Sequence, residues 1–235
     1  MLKIKTSCFD CNNTSCLIKA NCPPHILEEV DKNKTINRIR KKQIIFQEGD
    51  EPFNIYFIYS GIVKVFKKGA FNKDQIVRFS FEGDILGHRG LNSSNNFPVS
   101  AQAISDTEIC CFSKDFFLDL LNKVPQLAIN LMLFFSDELN QEETKLRDMA
   151  IFNVREKVAK TLLIFIDKFG INQEQEIFNI EILTRQDIAD FTGLTSNQVT
   201  KELSELKQNQ FIDTYNKKIK ILSKEKIERI VSFLT

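Results

Sequence analysis

The sequence predicts an α+β chain: an N-terminal β-barrel of jelly-roll type, a long dimerisation helix and a C-terminal winged helix-turn-helix. Three observations predict it. Between Lys34 and Phe112, short apolar runs alternate with turn residues. From Pro125 to Met149, no Gly or Pro follows the first residue. Thr184 to Leu206 reads TRQDIADFTGLTSNQVTKELSEL, two helical segments joined at Gly193. At 235 residues the chain is comfortable for two domains, each able to bury a core.

The barrel rests on runs at Gln43–Phe46, Asn54–Tyr59, Ile62–Lys67, Gln75–Phe81, Val99–Ala103 and Glu108–Phe112. Glu48-Gly49-Asp50, Ser60-Gly61, Lys68-Gly69, Glu82-Gly83-Asp84 and Asn92–Asn96 punctuate them, the pattern of many short antiparallel strands. Ahead of the barrel, Ile26–Val30 reads as a short helix after Pro23-Pro24; behind it, Ser113 caps a helix reaching Leu121. Leu127, Leu131, Phe134/Phe135, Glu138, Leu146 and Met149 follow a spacing of three to four for the most part, as an amphipathic helix requires. About 25 residues of helix extend roughly 37 Å, longer than one small core covers, so its apolar stripe is expected to meet the same helix of a second subunit. The alternative is a helix lying across its own barrel. Asn153 starts the next helix, Val154–Phe169, stopped by Gly170. A strand at Phe178–Ile182, the two helices, a hairpin around Asn216-Lys217 and a last helix from Ser223 to Leu234 complete the winged helix-turn-helix. The expected divisions are a Cys-rich segment 1–24, a sensor barrel 25–122, a dimerisation helix 123–150 and a DNA-binding domain 151–235.

Composition narrows the class. With 43% hydrophobic and 27% charged residues the chain reads as an ordinary globular protein. The first residues carry no apolar run, and no segment approaches the roughly 20 apolar residues of a membrane span. The expectation is a cytoplasmic protein without membrane contact. The net charge of +1 lacks the strong basicity of many DNA binders. From Thr195 to Lys220, however, five lysines face three acids, a local excess that can serve phosphate contacts. With two histidines, His25 and His88, and no nucleophile–base constellation, no enzymatic activity is expected.

The cysteines are unevenly placed. Four of six, Cys8, Cys11, Cys16 and Cys22, fall in the first 22 residues, and Cys110-Cys111 form an adjacent pair. In a cytosolic chain this clustering points to a metal or redox site ahead of disulfides.

Barrel, long helix and winged helix in that order resemble the CRP/FNR superfamily of bacterial transcription regulators. The resemblance spans essentially the whole chain. It is carried by Gly83-Asp84-Ile85-Leu86-Gly87, by Ser100-Ala101-Gln102-Ala103 and by Leu183-Thr184-Arg185-Gln186-Asp187-Ile188-Ala189. It implies a cyclic-nucleotide-binding-like barrel, a homodimer, RNA polymerase as a partner and a palindromic double-stranded DNA operator. The family's cyclic AMP site has a Glu after the second Gly of the turn and an Arg before Ser-Ala; here those positions are His88 and Val99. A buried phosphate needs a paired cation, so cyclic AMP is not expected, although Arg89 offers a relocated charge. Adenine-contacting hydroxyls of the long helix are replaced by Glu142 and Glu143.

The chain is more similar to the oxygen-sensing branch, where three N-terminal cysteines and one barrel cysteine hold a [4Fe–4S] cluster. Cys110 aligns with the barrel cysteine, whereas the N-terminal spacing C-x2-C-x4-C-x5-C differs and leaves three of Cys8, Cys11, Cys16 and Cys22 to be chosen. Structural zinc, a dithiol switch and unmetallated thiols remain alternatives on spacing alone. Correspondingly, the regulator is gated either by an oxygen- or NO-sensitive cluster, or by another small ligand in the barrel or its own abundance.

For DNA, Thr195 is the expected N-cap of the recognition helix, with Ser196, Asn197, Gln198, Thr200 and Lys201 in its first turns. By the resemblance, Thr184, Arg185 and Gln186 contact phosphates. The family's base-reading Glu and Arg are replaced by Asn197 and Lys201, and Ser196 stands where some branches carry another Arg. Asn pairs two-pronged with adenine, while Lys meets guanine without Arg's rigid fork.

Overall fold

The computed structural model describes residues 7–69, 73–169, 178–180, 182–215 and 218–231. The expectations for the first six residues, for Gly170, for the Asn216-Lys217 turn and for the end of the last helix at Leu234 lie outside them. The chain divides into two compact units inside its longest helix, between Gln141 and Glu142, with residues 73–76 grouped with the second.

The first unit begins with helices α1 (Leu17–Asn21) and α2 (Pro24–Asn33). Strands follow: β1 (Thr35–Ile39), β2 (Ile44–Phe46), β3 (Asn54–Ser60), β4 (Val63–Lys68), β5 (Asp74–Ser80), β6 (Ile85–Leu86), β7 (Ser100–Ala103) and β8 (Thr107–Ser113). They form two four-stranded sheets of order β1-β8-β3-β6 and β2-β7-β4-β5. Then come α3 (Lys114–Lys123) and α4 (Pro125–Ile151). Ser113 caps α3 as the sequence implies, accepting from the Phe116 amide.

Alternation along the strands sorts the apolar residues into two cores. Phe46, Ile58, Val65, Leu86, Phe97 and Val99 pack between the sheets. Ile55, Phe57, Ile85 and Phe112, on the opposite face of the first sheet, meet Ile18, Leu27, Val30, Phe117, Leu120, Leu127 and Leu131 of the helices. The first half of α4 is therefore partly a roof over its own barrel. Three elements escaped the sequence reading. β1 alternates poorly because Asn37 and Arg38 interrupt it, β6 is two residues long, and α1 is a single turn flanked by cysteines.

The second unit holds α5 (Val154–Phe169), β9 (Phe178–Ile180), α6 (Arg185–Thr192), α7 (Ser196–Gln208), β10 (Ile212–Tyr215), β11 (Lys218–Ile221) and α8 (Lys224–Val231). Its core is helical in period: Val158, Leu162 and Phe165 of α5 and Val199, Leu203 and Leu206 of α7 are buried. The sheet runs β10-β11-β9, so the hairpin extends beside the helices as a wing.

Candidate nucleic-acid interface and cysteine pocket

Both helices of the helix-turn-helix are defined by reciprocal caps. Thr184 Oγ1 accepts from the Asp187 amide at 3.0 Å, and Asp187 accepts from the Thr184 amide at 3.2 Å. Thr195 Oγ1 accepts from the Gln198 amide at 3.3 Å, while Gln198 Oε1 accepts from the Thr195 amide at 2.9 Å. Between them Gly193 takes φ 71°, the left-handed conformation that ends α6, and an added Cβ would stand 3.3 Å from the Met149 methyl.

These contacts sort the expected DNA-facing residues. Asn197, Gln198, Thr200 and Lys201 are exposed, and Ser196 is half-buried. Gln198 is committed to the cap, and Thr200 Oγ1 donates to the Ser196 carbonyl at 2.8 Å. Lys201 extends into solvent with its side chain 82% exposed, 3.9 Å from Glu205. In α6, Gln186 bonds Asp190 at 2.6 Å, Thr184 is exposed and Arg185 is half-buried. Glu202, one of the three acids in the Thr195–Lys220 charge count, is turned inward on α7, 3.8 Å from Arg155. Burial raises its pKa against the pull of Arg155. The exposed face of Asn197, Thr200, Lys201 and Ser204 thus carries a cation, with Glu205 at its edge.

At the other end of the chain, Cys8, Cys11, Cys16 and Cys110 line one recess of about 370 Å3 including its mouth. Ile18, Lys19, Lys34, Phe57, Tyr59 and Phe112 complete the wall. Backbone geometry makes the selection. Cys16 caps α1 and Cys22 ends it; six residues of helix turn a side chain by roughly 240° and carry it roughly 9 Å. Cys22 accordingly faces the helix-covered core, 7% exposed, with Ile18 and Leu27. On β8, neighbours alternate: Cys110 pairs with Phe57 and joins the recess, whereas Cys111 pairs with Tyr56.

The loop carrying Cys8 is fastened by charge. Lys34 Nζ donates to Cys8 Sγ at 3.1 Å and to Asp31 at 2.9 Å, and Asp31 accepts from the Cys8 amide at 2.8 Å. Lys19 Nζ donates to the carbonyls of Cys8 and Phe9 at 2.8 and 2.7 Å. Gly83 lets this segment approach the barrel: its φ is 92°, and a Cβ there would stand 2.1 Å from Ser15 Oγ. Burial pushes the Cys8 thiol up to about 12, against the pull of Lys34, and the Cys110 thiol up to about 11; Cys16 is raised as well. Among the described residues, no three His, Cys, Asp or Glu side chains converge closely enough to hold a single metal ion.

Inside the barrel, Val99 is 4% exposed and lies in the apolar core. His88 and Arg89 are engaged by a residue the sequence reading treated as one more position of the α4 stripe. Glu138 lies 3.0 Å from His88 Nε2, 3.2 Å from Arg89 Nε and 2.9 Å from Arg78 Nη1. The carboxylate approaching the barrel's cations is thus Glu138.

Comparisons with known proteins agree with this layout. Residues 36–124 match the cyclic nucleotide-binding domain and residues 156–230 the Crp-like helix-turn-helix domain. The regulatory protein HlyX of Actinobacillus pleuropneumoniae is 28% identical over 227 residues, covering 92% of each chain. The fumarate and nitrate reduction regulatory protein of Yersinia pestis is 26% identical over 230 residues, 95% of this chain and 89% of that one. Among solved structures, FixK2 from Bradyrhizobium japonicum superposes with a TM-score of 0.75 over 84% of this chain and 96% of that one; at 23% identity the likeness concerns the fold. Among the described residues no helix is long and apolar enough to cross a membrane. The relatives are regulators and not enzymes, and both halves of the fold match in order: the chain is a DNA-binding member of the CRP/FNR family of transcription regulators.

Proposed function

We propose that the chain is a homodimeric cytoplasmic regulator that binds a palindromic operator, acts on RNA polymerase, and is gated by a [4Fe–4S] cluster held by Cys8, Cys11, Cys16 and Cys110. The observation that carries the cluster is the gathering of three N-terminal cysteines and one strand cysteine around a single recess. Four thiolates complete the ligand set of such a cluster, and thiolate is the donor that soft iron–sulfur centres take. When bound, the cluster supplies sensitivity to oxygen or nitric oxide. With four thiolates a [4Fe–4S]2+ core carries a net charge of about −2, which suits Lys19 and Lys34 in the wall. The sulfurs surround a recess instead of converging on a point, which suits a multi-atom cluster better than one zinc ion. The relative named for fumarate and nitrate reduction points the same way.

Dimerisation is supported by the outward face of α4. Met132, Leu139 and Leu146, seven residues apart, are 66%, 61% and 71% exposed, a seam for a second copy of the same helix. For DNA, Asn197 and Lys201 are the base readers, Ser196 and Thr200 lie beside them, and Thr195 with Gln198 sets the helix start. Thr184, Arg185 and Gln186 take the phosphates. The half-sites lie roughly 34–36 Å apart. No cyclic nucleotide is assigned to the barrel, because Val99 supplies no cation and the cations present are engaged by Glu138. The domain limits follow: 1–24, 25–122, 123–150 and 151–235.

Serine variants test the ligand set. Anaerobically prepared Cys8→Ser, Cys11→Ser, Cys16→Ser and Cys110→Ser are each expected to lose most bound iron, and Cys22→Ser to keep it. Loss in Cys22→Ser with retention in Cys16→Ser contradicts the assignment.

A further inference from the structure

Glu138 occupies an inward position of α4, eleven residues after Leu127, seven after Leu131 and four after Phe134, where a helix roofing a barrel presents an apolar side chain. It is nevertheless an acid, 6% exposed. A buried carboxylate persists only if it is paired, and three barrel side chains pair it. Arg78 Nη1 lies 2.9 Å from one carboxylate oxygen; His88 Nε2 and Arg89 Nε lie 3.0 and 3.2 Å from the other. Arg78 also donates to the Ile85 carbonyl at 3.0 Å, which fixes the guanidinium on the barrel side. Phe134 and Phe135 close the site from α4, with ring centroids 5.3 and 5.1 Å from that of His88.

Burial alone would raise the Glu138 pKa, but the His88 hydrogen bond and the Arg78 and Arg89 charges outweigh it and bring it to about 2. Burial lowers the His88 pKa, and Nε2, facing an ionised carboxylate, pairs with it by donating a hydrogen bond. The carboxylate is therefore ionised at neutral pH; one oxygen is hydrogen-bonded to His88 and Arg89, and the other is ion-paired with Arg78. Around those donors lies a recess of about 220 Å3, walled by Phe46, Val65, Leu86, Phe97 and Val99. An apolar chamber with a few converging polar groups is the make-up of a small-molecule site. The recess is narrow and its polar groups are already met by one carboxylate, so the chemistry it suits is a small acid taking that carboxylate's place.

The geometry points to a carboxylate-binding site made by Arg78, His88 and Arg89, whose resident ligand is the chain's own Glu138. The barrel thereby latches α4 with an internal substitute for a small carboxylate ligand. Every distance that carries this lies in the first unit, and it stands independently of the iron–sulfur reading. It also gives a reason for the acid in the apolar stripe: the charge is the ligand, and the helix is its tether.

Removing the tethered carboxylate should leave a vacant site that a free one can enter. Glu138→Ala is expected to melt on the order of 10 °C below the wild type, the scale for leaving buried cations without their anion. Sodium acetate at millimolar concentration, compared with sodium chloride at equal ionic strength, should restore several degrees in Glu138→Ala, none in the wild type, and none in the double variant Arg78→Met/Glu138→Ala. Equal melting of Glu138→Ala in acetate and chloride overturns the site. Rescue by inorganic phosphate without rescue by acetate overturns the carboxylate assignment. Should Glu138→Ala be too unstable to melt cooperatively, Glu138→Gln, which keeps the volume, decides. It is expected to melt below the wild type and to show a shallower fall in stability than the wild type between about pH 5 and pH 2, where Asp31 still contributes. Melting and acid sensitivity equal to the wild type overturn the latch.

Discussion

At the scale of single residues, Lys34 is the side chain through which the cysteine recess is tuned. It is largely buried, holds Asp31 at 2.9 Å and aims a proton at Cys8 Sγ at 3.1 Å. A cation and a hydrogen bond at a ligand sulfur stabilise the more negative, reduced form of an iron–sulfur centre. Lys34→Met is expected to lower the reduction potential and to lose iron in air on the order of tenfold faster than the wild type, with Lys34→Arg between them. Potentiometry and the decay of visible absorbance check it; an unchanged potential in Lys34→Met contradicts it. None of this was legible in the sequence, because Lys34 meets Cys8 only when α2 folds back along the N-terminal loop. Cysteine spacing likewise could not choose among Cys8, Cys11, Cys16 and Cys22. In the structure α1, a five-residue helix, turns Cys22 into the core and leaves Cys8, Cys11 and Cys16 at the recess. Cys110 was reachable, since strand alternation puts it and Cys111 on opposite faces.

Among the elements, α7 was the most legible and α4 the least. The α7 cap, its buried stripe and its Gly193 turn follow from local chemistry, which is why the sequence placed them correctly. The charge count over Thr195–Lys220 did not separate Glu202, which the helical period places beside Leu203 and Leu206 on the covered side. Lys201→Ala should weaken binding to an operator by about 1–3 kcal/mol if the side chain reads a base, and should do so more for the cognate site than for random DNA. If it touches only phosphate, cognate and random binding fall alike and the salt slope drops by about 1. Titrations on both DNAs over a salt series separate the two. In α4 one period serves two partners. Leu127, Leu131, Phe134 and Glu138 face the barrel, while Met132, Leu139 and Leu146 face outward. The sequence pattern announced an amphipathic helix but could not divide its residues between a roof and an outward stripe; the helix does lie across its own barrel, and the outward stripe is the face on which the proposed dimer rests.

Over the whole molecule, α4 runs from the unit that holds the barrel into the unit that holds the helix-turn-helix. Leu139→Asp, in the middle of the exposed stripe, is expected to yield a monomer by sedimentation and to abolish tight binding to a palindrome, since each half-site alone retains a fraction of the contacts. A dimer of unchanged stability in that variant would remove α4 from the interface. The order of elements was visible in the sequence, because turn signals, a Gly-free helix and paired caps are local features. Distant partners were not: the Lys34–Cys8 contact, the Glu138 latch and the pairing of Glu202 with Arg155 depend on chain segments far apart.

The central claim is that the recess of Cys8, Cys11, Cys16 and Cys110 carries an iron–sulfur cluster, and iron and acid-labile sulfide per chain in protein purified without oxygen test it most directly. The account predicts about four of each, with brown colour that bleaches in air. Colourless protein, or stoichiometric zinc with no sulfide, would contradict it.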